Sequence, residues 1–149
     1  MTAPAAAADL RAHLGERRFR RFASSVRRTV PRQPAPLLWQ EGVWAEFLDA
    51  FPRHRGLSLG AVLGEPGVCL VHMTERLPDA VPALYGHWHF PADYLDALED
   101  RFPNAVMTYH GDSVELERPP VRGVYYCPEC RRALIEWNEG RTHPIGLPG

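Results

Sequence analysis

Residues 123–137, GVYYCPECRRALIEW, contain two cysteines, Cys127 and Cys130, separated by two residues. Pro128 lies between them, and its fixed φ favours the tight turn that brings two thiolates onto one metal ion. Apolar residues precede and follow the pair, which predicts a strand, a turn and a second strand, the arrangement of a zinc knuckle near the C-terminus. Zn²⁺ is borderline soft and is bound in structural sites by Cys and His. The segment therefore predicts half of a zinc site.

The other half is predicted to come from Cys69 and His72, which have the same separation. A Cys-x-x-His pair and a Cys-x-x-Cys pair together give a Cys₃His set, which is common in structural zinc sites. Two features oppose this prediction. Residues 69 and 72 would face opposite sides of a straight strand, and Leu70-Val71 is poor turn chemistry. We predict a structural zinc site with the ligands Cys69, His72, Cys127 and Cys130.

Three alternatives concern these ligands. His143 could replace Cys69 or His72, because twelve residues separate it from Cys130, as in two-cysteine, two-histidine fingers. However, Pro144 follows it directly and no second histidine follows at the required interval. Cys69 could be a buried free cysteine that packs as a small hydrophobe. A redox Cys-x-x-Cys is the last alternative, and the βαβ context of a thioredoxin-like motif is missing.

The composition is that of a globular protein of 149 residues, 45% of them apolar and 23% charged. Fifteen prolines and twelve glycines exclude long uninterrupted helices and coiled coils. Three cysteines, an odd number, argue against a disulfide framework. No apolar run approaches the roughly 18 residues that span a bilayer, and no basic segment precedes the alanines near the N-terminus. We therefore predict a cytoplasmic protein with no membrane contact.

Turn residues and apolar runs predict an α+β fold in which two β-hairpin/helix units surround one core. The hairpins are expected at 57–64 with 67–71 and at 105–109 with 113–117, and a further strand at 83–90. Each half also has a helix ending at Phe-Pro, a hairpin and a pair of soft ligands, so an internal repeat competes with coincidence. The predicted organisation is a mobile tail (1–8), a basic amphipathic helix with a Pro-rich linker (9–36), and a zinc-stabilised α+β domain (37–149).

Charge is distributed unevenly along the chain. Residues 9–32 contain eight arginines and two acids, a net charge of +6, whereas residues 33–149 contain nine arginines and sixteen acids, a net charge of −7. The arginines could contact nucleic-acid phosphates, with Phe19 and Phe22 stacking on bases. They could also remain solvated, lie on the acidic body of the same chain, or contact a separate protein. An acidic body opposes the approach of nucleic acid, which favours a protein contact.

A histidine cluster offers a second possible site. His87 and His89 would lie on one face of the predicted strand, and His110 with Asp112 could add ligands for a catalytic metal. The same pattern also fits a polar strand face, because any two alternate histidines produce it. Motifs of zinc deaminases, serine hydrolases, phosphate loops and dinucleotide-binding folds are missing.

Together these features predict a non-enzymatic binding or adaptor protein with one structural zinc, which recognises or neutralises another macromolecule, preferably a protein. The partner would dock on the N-terminal Arg-rich helix or on the acidic body. One alternative is a nucleic-acid-associated protein that uses the Arg-rich helix. The other is a metal-dependent hydrolase that uses the cluster of His87, His89 and His110 with Asp112. The oligomeric state is not predicted.

Overall fold

The computed structural model describes residues 2–29, 35–64 and 66–148. These residues form helices and a three-stranded sheet, so the predicted α+β class is confirmed. They fall into two compact units, the first ending at Glu75 and the second beginning at Arg76. The boundary predicted at residues 36/37 lies inside the first unit, and the predicted linker falls mainly on residues 30–34, outside the described ranges. No helix in the described ranges is long and apolar enough to cross a membrane.

The first unit is helical, with α1 (Ala3–Leu14), α2 (Glu16–Thr29), α3 (Leu38–Ala50) and α4 (Leu59–Leu63), and one 3₁₀ turn at Pro52–His54. Its core is an apolar cluster to which every helix contributes, including Leu10, Phe19, Val26, Phe47 and Val62. Because helices pack through such apolar stripes, the stripe predicted on the basic segment becomes the inner face of α1 and α2. This core leaves five of the six arginines of α2 exposed, and Arg27 is partly buried.

The N-terminal segment differs from its prediction in two ways. Residues 3–8, expected to be part of a mobile tail, belong to α1, where Ala6 and Ala7 are buried and the Thr2 hydroxyl accepts a hydrogen bond from the Ala5 N–H (3.2 Å). The single basic helix expected after residue 9 is two helices, because Gly15 adopts φ 78° and ends α1. A residue without a side chain tolerates that conformation.

The first predicted hairpin is wrong. Residues 59–63 form α4, whose start is capped by the Ser58 hydroxyl, which accepts a hydrogen bond from the Ala61 N–H (3.1 Å). Leu59, Val62 and Leu63 are buried, and their spacing of three and four residues is helical. Of the strand predicted at 67–71, Val68 alone is in a β-bridge, and its partner is Glu75, outside the predicted hairpin.

The second unit contains β1 (Leu77–Gly86), α5 (Ala92–Asp100), β2 (Tyr109–Asp112), β3 (Val121–Tyr126) and α6 (Pro128–Asn138). The strand order is β2-β1-β3, with β1 parallel to β2 and antiparallel to β3. The strand predicted at 83–90 therefore begins earlier and ends at Gly86. It is the central strand although it contains Pro78 and Pro82.

These prolines fit because of where their nitrogens point. The Ala83 N–H donates to the carbonyl of Pro120 (2.9 Å), next to β3. Alternate residues of a strand direct their N–H groups to opposite edges, so Pro78 and Pro82 face the β2 side. Pairing with β2 starts only at Ala83, and the missing N–H groups therefore remove no ladder hydrogen bond.

The second predicted hairpin is also wrong. Residues 109–112 pair in parallel with β1, and residues 113–117 form no strand. The chain instead turns after Asp112, whose Oδ1 accepts a hydrogen bond from the Val114 N–H (3.2 Å). The apolar side chains of this segment, Val114 and Leu116, are exposed and do not pack on the sheet.

Candidate metal centre

One group of side chains in the described ranges could hold a metal ion. Its potential ligand atoms all lie within 4.8 Å of one another, and the group consists of Cys69, His72, Cys127 and Cys130. The three cysteines are fully buried, and His72 is partly buried. Two sulfurs on a tetrahedral zinc with bonds of about 2.3 Å lie about 3.8 Å apart. The group is therefore within about 1 Å of the spacing that such a site requires.

Cys69 and His72 lie in a short loop, residues 67–75, which we call the metal loop. The Cys69 Sγ lies 3.7 Å from the His72 Nδ1. The chain turns over residues 70–72, the Met73 N–H donates to the Cys69 carbonyl (2.8 Å), and the Cys69 N–H donates to the Thr74 carbonyl (2.8 Å). Met73 has φ 51°. The turn removes the objection that a straight strand would separate the two side chains, although Leu70-Val71 gave no sign of it.

The metal loop is supported from α2 and from its own glycine. The Arg27 guanidinium donates to the carbonyls of Val68 and of Leu63, the latter over 3.4 Å. The Val68 N–H donates to the Val62 carbonyl (3.1 Å). Gly67 has φ 55°, and a Cβ there would lie 2.1 Å from the carbonyl oxygen of Gly64. The position of Cys69 therefore depends on a backbone path that only glycine allows.

Cys127 and Cys130 lie where β3 passes into α6. Cys127 is the residue before the helix, Pro128 is its first residue, and Cys130 lies in its first turn. The Cys127 N–H donates to the Asn104 carbonyl (2.9 Å). The positive end of a helix dipole stabilises nearby thiolates, which are the form that binds metal.

The strand predicted after this pair is wrong, because residues 128–138 are helical. The buried residues Cys130, Leu134 and Asn138 recur every four positions, which is a helical period. The motif is thus a strand followed directly by a helix, with Cys127 between them.

Arg131, next to Cys130, fastens the start of α6 to the sheet. Its guanidinium forms an ion pair with Asp79 of β1 (2.8 Å) and donates to the Val106 carbonyl (2.6 Å). It also stacks over the ring of Tyr126, 3.5 Å from the ring centre. The hydrogen bond from Arg131, followed by one from the Ala80 N–H, lowers the pKa of Asp79 below 3.8.

The other predicted ligands lie elsewhere. His143 is exposed and is not part of the four-residue group. His87, His89, His110 and Asp112 line a separate depression of about 330 Å³ in the second unit. They do not form a second metal-binding group among the residues that the structure describes. His110 packs edge-on against Trp88 and Phe90, with ring centres 4.8 and 5.3 Å away, and burial lowers its pKa.

A cationic depression of about 660 Å³ lies between α2 and α3 in the first unit. We call it the arginine groove, and its main lining residues are Arg18, Arg21, Phe22, Arg28, Trp39 and Val43. Phe19 and Phe22, proposed from sequence as base-stacking residues, are buried in the core. Trp39 is the exposed ring, and sequence reasoning missed it because it lies in α3, outside the basic segment.

Comparisons of this chain with protein-family models, with curated proteins and with solved structures found no match. Its function must therefore be argued from its own side chains. The Cys/His group and the arginine groove are the two features with the clearest chemistry.

Proposed function

We propose that this protein is a non-enzymatic binding protein that holds one structural zinc ion and recognises another protein. The observation that carries the proposal is the convergence of four soft ligand atoms, three of them from fully buried cysteines. The binding surface is supplied by Arg18, Arg21 and Arg28 of α2, which form no ion pair with a described residue.

Zinc is the metal that this donor set favours. Thiolates select soft or borderline ions, whereas magnesium and calcium prefer oxygen ligands. Three Cys and one His form a standard tetrahedral structural set for Zn²⁺. A thiol–disulfide catalyst needs an accessible attacking thiolate, and the full burial of Cys127 and Cys130 argues against that role.

The metal is expected to be structural because four protein ligands fill a tetrahedral shell. A catalytic zinc keeps one position for water or substrate, and a Cys₃His set leaves none. Binding of the ion then contributes folding free energy directly. The depression lined by His87, His89 and His110 does not alter this view, because its side chains form no second ligand group in the described ranges.

Metal analysis and thermal unfolding test the proposal. Protein purified without added metal is expected to contain about one zinc per chain, and a chelator should lower the Tm steeply. His72→Gln should reduce the zinc content and the Tm. His143→Gln, an equal change at an exposed histidine outside the group, should leave both unchanged.

Three results would contradict the proposal. Purified and zinc-reconstituted protein could contain no stoichiometric metal, Cys127→Ser could retain the Tm of the wild type, or His143→Gln could lose zinc while His72→Gln keeps it. The last result would assign the fourth ligand to His143 instead.

A further inference from the structure

Three of the four arginines that line the arginine groove form no ion pair with a described residue. Of the six arginines in α2, Arg20 forms an ion pair with Glu16 (2.8 Å) and Arg27 donates to carbonyl groups. Arg18, Arg21 and Arg28 line the groove and make no ion pair with any described residue. They are exposed. Three positive charges along one side of a groove favour an anionic occupant.

The same groove has an apolar side. Trp39 remains 52% exposed and packs edge-on against the buried Phe22, with ring centres 6.0 Å apart at 70°. Val43 continues this surface along α3. An exposed tryptophan next to arginines is the combination enriched at sites that dominate protein–protein binding. The occupant is therefore expected to carry apolar side chains as well as negative charge.

A buried glutamine fixes the two walls of the groove. Gln40 is fully buried, and its amide nitrogen donates to the Ser25 hydroxyl (3.2 Å) and the Thr29 hydroxyl (3.4 Å) of α2. Its amide oxygen accepts a hydrogen bond from the Leu37 N–H (2.9 Å), at the start of α3. These hydrogen bonds of the Gln40 side chain join α2 to the start of α3. The groove is thus preorganised, which lowers the entropic cost of binding.

We infer that the arginine groove binds a short acidic segment of a partner protein. An apolar side chain of that segment lies against Trp39, and its carboxylates pair with Arg18, Arg21 and Arg28. Ten residues of helix separate Arg18 from Arg28, a distance of about 15 Å, which corresponds to four or five residues of extended peptide. This inference rests on the proposed function and assigns the surface and the ligand class to it.

The side chains that the groove exposes favour a peptide over a nucleic acid. Binding of a single strand relies on several exposed rings that stack successive bases, and here Phe19 and Phe22 are buried, leaving Trp39 as the exposed ring of the groove. The aliphatic Val43 offers no stacking surface. Guanidinium groups pair with carboxylates in bidentate geometry as readily as with phosphates. The arginines of the groove therefore do not require a nucleic-acid ligand, because the carboxylates of a peptide can pair with them.

Fluorescence anisotropy with the full-length, zinc-loaded protein tests this inference. The probe is a fluorescein-labelled nonapeptide with a central leucine flanked by glutamates on both sides. Two comparison peptides replace the glutamates by glutamine or the leucine by serine, and a nine-nucleotide single-stranded DNA is the nucleic-acid probe. The acidic, leucine-containing peptide is expected to bind best.

Matched variants locate the binding. Arg21→Gln and Trp39→Ala should each weaken binding of the peptide by about tenfold, the effect of losing one charged hydrogen bond or one buried aromatic contact. Arg55→Gln removes an exposed arginine of the same unit outside the groove, and Leu38→Ala removes a neighbouring side chain that is 85% exposed. Both control variants should bind the peptide like the wild type.

Several results would overturn the inference. These are tighter binding of the oligonucleotide than of the peptide, peptide binding that Arg21→Gln and Trp39→Ala leave unchanged, and binding of none of the probes. A dimer in sedimentation that Trp39→Ala dissociates would show that a second copy of this chain occupies the groove.

Zinc content and Tm, measured on the same samples, separate this failure from failure of the proposed function. If the protein contains zinc and is stable but does not bind the peptides, only the proposal that the arginine groove binds an acidic segment is refuted. Metal-free protein that binds the peptide at Arg21 and Trp39 refutes the structural zinc and retains the groove.

Discussion

The two ligand pairs of the candidate metal centre are held in different ways. Cys127 and Cys130 lie at the start of a regular helix, with Pro128 as its first residue. Cys69 and His72 lie in a loop whose path depends on Gly67 and on hydrogen bonds from Arg27 to carbonyl groups. The spacing of the first pair is thus set by the start of a regular helix, although the Asn104 carbonyl and Asp79 also hold this segment. The second pair has no such helix and depends on Gly67 and Arg27 for its loop, so it should be the more sensitive to substitutions outside itself.

The largest expected effect is loss of a ligand from the pair at the start of α6, Cys127 and Cys130. Cys130→Ser should remove zinc and lower the free energy of unfolding by about 4 kcal/mol or more, because metal binding contributes to folding and a hydroxyl would replace a buried thiolate. Urea unfolding with parallel metal analysis measures both. If Cys130→Ser keeps stoichiometric zinc and wild-type stability, the pair is not a ligand pair.

Gly67→Ala tests how strictly the metal loop depends on its backbone path. We expect a loss of about 2–3 kcal/mol, because alanine is strained at φ 55° and its Cβ would meet the Gly64 carbonyl. Zinc affinity should fall with it.

Gly42→Ala is the matched control for that change. Gly42 lies in α3, and a Cβ there would meet nothing within 4 Å. Alanine is a better helix former than glycine by about 1 kcal/mol, so this variant should gain stability. Equal effects of the two substitutions in urea unfolding would contradict the role given to Gly67.

Arg27 and Arg28 are neighbours with different roles, and their substitutions sharpen the contrast between support and binding. Arg27→Gln should lower stability by about 1–2 kcal/mol, since it leaves the carbonyls at Leu63 and Val68 without their charged donor. Arg28→Gln should leave stability nearly unchanged and weaken binding of the acidic peptide. Urea unfolding and peptide anisotropy on both variants test this. If Arg28→Gln lowers stability and Arg27→Gln alone weakens peptide binding, the roles given to both arginines are contradicted.

The contrast also explains what the sequence could predict. The Cys127–Cys130 pair was recognisable because its spacing and its proline are local, and the α+β class followed from mixed helical and turn patterns. The two hairpins were not predictable in this way. Buried Leu59 and Val62 belong to a five-residue helix too short to give a clear period, and residues 109–112 pair with a strand distant in sequence. Pro78 and Pro82 concealed the central strand, since their compatibility with it depends on which edge is paired.

The candidate site likewise has features that the sequence could predict and features that it could not. Cys69 and His72 could be named from ligand spacing, but the turn that brings them together depends on Met73 in a positive-φ conformation. The arginine groove combines residues of α2 with Trp39 of α3, and nothing in the spacing of these residues announces that they share a surface. Gln40, whose amide joins the two helices, carries no signal as an isolated glutamine.

The smallest expected effect concerns the ion pair between Asp79 and Arg131, which lies next to the Cys127–Cys130 pair. Asp79→Asn removes the ion pair with Arg131 and should lower stability slightly, less so at high salt, because exposed ion pairs are weak and screened. The pKa of Asp79 is lowered in the folded protein, so its contribution is fully present above 3.8 and is lost as the pH falls through the lowered pKa. The stability difference between wild type and Asp79→Asn should therefore be constant near neutral pH and vanish in acid. Taking this difference at each pH cancels the separate pH dependence of zinc binding, which both proteins share. A difference that grows as the pH falls would contradict the assigned direction of the pKa shift.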